Sequence, residues 1–233
     1  FPLRERGAAP VRPETAALLF SRLQSASRAV ALASMEAVLV PGRRAQVALE
    51  PGAPDRLVVT AGALARAEEG ALGFLLLRGC ELSLSGWGAA RLAGAAGLGD
   101  LVRAIGCAAG LPVEAPGSLA ARLEPLREAL GSLALPEARQ LAEAAIAELE
   151  QTTPEALLSA MALSASRVAM VALGDAAPAL RAAVLDSPHG AAAPGTLDLG
   201  AVAEGLPELR DEILTCLRDD LEALREAATG TRG

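Results

Sequence analysis

The chain has 233 residues, 52% of them hydrophobic and 21% charged, so a sizeable core is easy to bury and disorder throughout is excluded. A formal net charge of −7, with aromatics at 2% and no tyrosine, counts against nucleic-acid binding, which needs a positive field and stacking platforms. Cys80, Cys107 and Cys216 are too widely spaced for a disulfide framework or a metal site, so they read as free thiols in a reducing, cytoplasmic home.

In chain order, residues 1–13 carry Pro, Gly and Arg without periodicity and read as a linker. "FPLRERGAAPVRP" holds no apolar run of signal-peptide type, and with no initiator Met the chain is expected to be a fragment or processed form of something longer. A helix is predicted from Glu14, with Leu18, Leu19, Phe20 and Leu23 grouped. "MEAVLV", "AQVALE" and "RLVVT" then read as three short strands, divided by the turn signals "PGRR" and "PGAPD". The expectation is a three-stranded antiparallel sheet over residues 35–60, with a hairpin turn at Pro41-Gly42. Arg43 and Arg44 fall in that turn.

Beyond Ala61 only helices are expected. A short one precedes "ALGFLLLRGCELSLSG", residues 71–86, whose apolar residues cover most of its circumference. Arg78, Glu81 and Ser85 follow at spacings of three and four and form one wet stripe on it. "GFLLL" is too short to span a bilayer. "GAAGLGD", residues 94–100, looks like a phosphate-binding glycine run, but it follows a helix rather than a strand and reads as a loose turn. Later helices open near Pro125, Pro136 and Pro154, with another after Asp175. Residues 187–197 read as an exposed loop. A last helix sets Leu209, Ile213, Leu217, Leu221 and Leu224 on one stripe. The single histidine, His189, lies in the Pro/Gly/Ala loop, without the third group that holds a catalytic imidazole. The fold class is therefore α+β, mainly α: a small sheet followed by a helical bundle.

The order of elements carries a further signal. "LVVTAGALARAEEGALGFLLLRGCEL" runs from a strand through a short acidic linker helix into a long helix. This resembles the gluzincin peptidases of the CAAX-protease and heat-shock-protease type, whose Val-Val-Thr-x-Gly stretch leads to a His-Glu-x-x-His helix. "ALSASRVAM" resembles their later helix, which supplies the third zinc ligand. The resemblance covers about residues 35–175 and implies a zincin-like fold over a single domain, residues 14–233. Within it lie helix plus sheet (14–60), a helical core (61–175) and C-terminal helices (176–233). In that alignment the motif positions hold Arg78, Gly79 and Leu82, the third ligand is Ala162, and the following Asp is Ser166. Catalytic zinc needs three protein ligands and a Glu to activate its water, and none is in place.

The chain is also similar to degenerate domains of this type at the C-terminal end of bacterial tetratricopeptide-repeat proteins. The resemblance thus implies a pseudo-peptidase without cofactor, working through contact with a protein: an upstream repeat region or another subunit, and neither membrane nor nucleic acid. The expected docking edge is a strand of the small sheet, either "AQVALE", which holds Val47, Ala48 and Leu49, or "MEAVLV", since an unpaired strand edge accepts a further strand. Two other readings stay open: an enzyme of unrecognised chemistry, and a helical domain that binds an apolar ligand.

Overall fold

The computed structural model describes residues 7–52, 54–114, 117, 119–186, 210 and 214. The predicted loop at 187–197, His189, Cys216 and the C-terminal leucine stripe lie outside the described residues. The α+β class holds: a small sheet accompanies a molecule that is mainly helix.

The sheet has four strands, β1 (Ala9–Pro10), β2 (Glu36–Val40), β3 (Val47–Glu50) and β4 (Arg56–Thr60), in the order β1-β2-β4-β3. It is mixed, not three-stranded antiparallel as expected. β2 runs parallel to β4, with Glu36 opposite Arg56 and Val40 opposite Thr60. β3 runs antiparallel to β4, with Val47 opposite Val59 and Glu50 opposite Arg56. β1, from the stretch read as a linker, pairs with β2.

Pro41-Gly42 therefore makes no hairpin, because β2 and β3 are not neighbours. The 41–46 connection must cross two strand spacings, about 10 Å, and leave the inner place for β4. The hairpin of the sheet is the β3–β4 turn. There the Asp55 carboxylate accepts from the Gly52 amide at 2.9 Å and from Ser83 Oγ at 3.0 Å.

The helices are α1 (Pro13–Ala29), α2 (Ala61–Arg66), α3 (Glu69–Leu84), α4 (Trp87–Ala108), α5 (Leu123–Gln151), α6 (Pro154–Leu173) and α7 (Ala176–Asp186). Two glycines break long helices by taking φ near +60°, which a residue without Cβ does at little cost. Gly94 divides α4 at φ +67°, and Gly131 divides α5 at φ +61°. The second break overturns the expected helix start at Pro136, which lies inside α5. Pro125 does sit in the first turn of α5, where its missing amide costs nothing. Thr153 caps α6 and Asp175 caps α7 through their side-chain oxygens.

Two compact units divide the described chain. One comprises residues 1–88 with 162–233, and the other is residues 89–161. The sheet and α3 belong to the first. α3 packs on α1, on α7 and on strands β3 and β4. Phe74 and Leu76 on α3, and Leu57 and Val59 on β4, are wholly buried. Each large apolar side chain buried this way contributes about 1.5–3 kcal/mol. α6 is long and apolar enough to cross a membrane by length and composition. Its Ala162, Ala165, Ser166, Ala169 and Met170 nevertheless form one buried stripe, the pattern of a helix that faces a protein core.

Candidate functional site

The positions singled out on α3 are mostly packing positions. A Cβ at Gly79 would lie 2.7 Å from Leu57 Cδ2, so the missing side chain is what lets α3 close onto β4. Leu82 is buried. Arg78 is half-buried, its Nε enclosed by protein. On α6, Ala162 and Ser166 are buried as well, and Ser166 Oγ makes no hydrogen bond among the described residues. α3 and α6 approach at Gly73, where a Cβ would lie 3.7 Å from Leu173 Cδ1. That is well before Arg78 along the helix.

These residues do not fit a zinc ion. A guanidinium has no lone pair to donate, Leu82 and Ala162 are apolar, and the space beside Gly79 is filled by Leu57. Among the described residues no group of three His, Cys, Asp or Glu side chains is placed to hold a metal.

Cys80 and Glu81, on the same helix, form no reactive site either. Cys80 Sγ is fully buried, 3.7 Å from Ser27 Oγ, and Ser27 Oγ donates to the Leu23 carbonyl at 2.9 Å. Burial pushes the thiol up to about 11, against a weaker opposing effect from the Ser27 contact. A thiol held protonated at neutral pH does not attack. Glu81 is half-buried, and desolvation raises its carboxyl above the ordinary value. The wet stripe is thus real but shallow: Arg78 and Glu81 are half-buried and Ser85 is exposed.

The better-built polar feature is the junction of β4 and α2. Thr60 ends β4 and caps α2. Its hydroxyl donates to the Arg44 carbonyl at 2.6 Å and accepts from the amides of Gln46 and Ala63 at 3.0 and 3.2 Å. The Gly62 amide donates to the Gly42 carbonyl at 2.7 Å. A Cβ at Gly62 would collide with the backbone of Arg43 and Arg44, so only glycine fits. This clamp ties the 41–46 connection to the end of the sheet. Arg43, Arg44 and Arg66 line a hollow of about 640 Å³ above it. The sequence suggested a hairpin turn for Arg43 and Arg44 and carried no signal that Arg66 lies beside them. Their convergence depends on the crossover, which no local pattern announces.

The proposed docking strand also has a definite place. Among the described residues β3 closes one side of the sheet, with β4 as its one strand neighbour. Val47 and Leu49 turn their side chains into the core, and Ala48 is half-buried. "MEAVLV", the other candidate edge, is interior: β2 lies between β1 and β4. Comparisons with protein-family models, curated proteins and solved structures return no match.

Proposed function

We propose that this chain is a non-catalytic domain, peptidase-like in the order of its sheet and central helix, that works by protein contact in the cytoplasm within a larger chain or assembly. The observation that carries the reading is the Gly79–Leu57 contact. The position that would hold the catalytic carboxylate of the resembled peptidases faces the sheet, not an open cleft. The strand–short helix–long helix order, with α3 packed on β3 and β4, supports a zincin-like ancestry. The contact surface is the open edge of β3 at Val47–Leu49, where a partner strand would complete the backbone hydrogen bonds.

The purified chain is expected to hold no stoichiometric zinc by elemental analysis, and equimolar zinc should leave its melting temperature unchanged. Restoring the motif with R78H, G79E and L82H should destabilise the fold rather than build a site. Overpacking at Gly79 alone costs about 1–3 kcal/mol, and a buried unpaired carboxylate adds to that. One tightly held zinc per parent chain, or a restored variant that gains stability with zinc, reverses the reading.

One observation favours a second reading, a domain that binds an apolar ligand. A groove of about 410 Å³ is lined by Ala71, Leu180, Val184 and Leu185 of α3 and α7, together with the charged Arg66, Glu68 and Arg181. Native mass spectrometry of the purified chain separates the two: a stoichiometric co-purified lipid would favour the groove.

A further inference from the structure

We draw no further inference here: the strongest candidate, the apolar groove of about 490 Å³ that the exposed Leu18 of α1 and Leu64 of α2 line together with Leu39 of β2 and Leu72 of α3, is an unpartnered surface, and nothing in the structure shows what covers it.

Discussion

At Cys80 a single side chain reports on the core. Its thiol, driven from 9.0 up to about 11 by burial, keeps its proton over a pH range in which an unfolded chain has lost it. Between these values the folded state binds more protons than the unfolded state, so stability falls as pH rises. The contribution is fully present below pH 9 and lost as pH climbs through 11. A shift of about two units corresponds to about 3 kcal/mol. The composition makes the effect readable, since the chain contains neither lysine nor tyrosine, the usual titrating groups of that window. C80A should therefore flatten the decline of urea midpoints between pH 9 and 11, while costing some stability at pH 8 through the lost sulfur. A variant whose midpoints decline as steeply as those of the parent would show that Cys80 is not the group responsible. The sequence showed Cys80 to lie in an apolar helix, but not that Ser27 stands beside it, because that contact joins residues on two helices.

Among the elements, α3 was the most legible. A long apolar run places a helix at 71–86, and the helix observed is Glu69–Leu84, because a helix apolar on most sides has nowhere to go but the core. The strands were legible one by one, and their pairing was not. Which strand lies beside which is decided by contacts between distant residues, and "PGRR" reads the same in a hairpin turn as in a crossover. The Gly131 break was missed for a related reason: a helix end set by one positive φ competes with the stronger signal of Pro136 five residues on. The edge position of β3 can now be tested more sharply than sequence allowed. The Thr60 amide donates to the Gln46 carbonyl at 3.0 Å, so residue 46 directs its backbone groups at β4. In an antiparallel pair this direction alternates, which aims Ala48 and Glu50 at β4 and leaves Val47 and Leu49 facing outward. V47P removes an outward amide and should leave the domain folded, whereas A48P removes a ladder bond to β4 and should lower the melting temperature well below that of V47P. Thermal melts of the two variants decide the matter, and equal destabilisation would mean that β3 is not an open edge.

For the whole molecule, the uneven distribution of large buried side chains sets where stability resides. The described core of the first unit contains Leu19, Leu23, Leu57, Phe74, Leu75, Leu76, Trp87 and Met170. Residues 89–161 bury alanines, Ala104, Ala108 and Ala142 among them, with Leu98 as the one large apolar side chain in the described buried set. Alanine brings backbones close but removes little apolar area from water, and that area is the main favourable term in folding. The glycine breaks at Gly94 and Gly131 fall in this same unit and shorten its helices, which lowers their intrinsic stability further. Local opening follows local contact, so the two units should differ in hydrogen exchange. Amides of β4 and of α3 from Phe74 to Cys80 are expected to exchange last, near the rate of global unfolding. Those of the helices between Ala89 and Met161 should exchange markedly faster under the same conditions, read by mass spectrometry of peptic peptides. L76A should then speed exchange in α3 and β4, and a Leu98→Ala change should leave those amides slow. Protection around Ala104 or Ala142 that lasts as long as protection at Leu76 would mean that small-residue packing stabilises residues 89–161 as firmly as the leucine core stabilises the sheet.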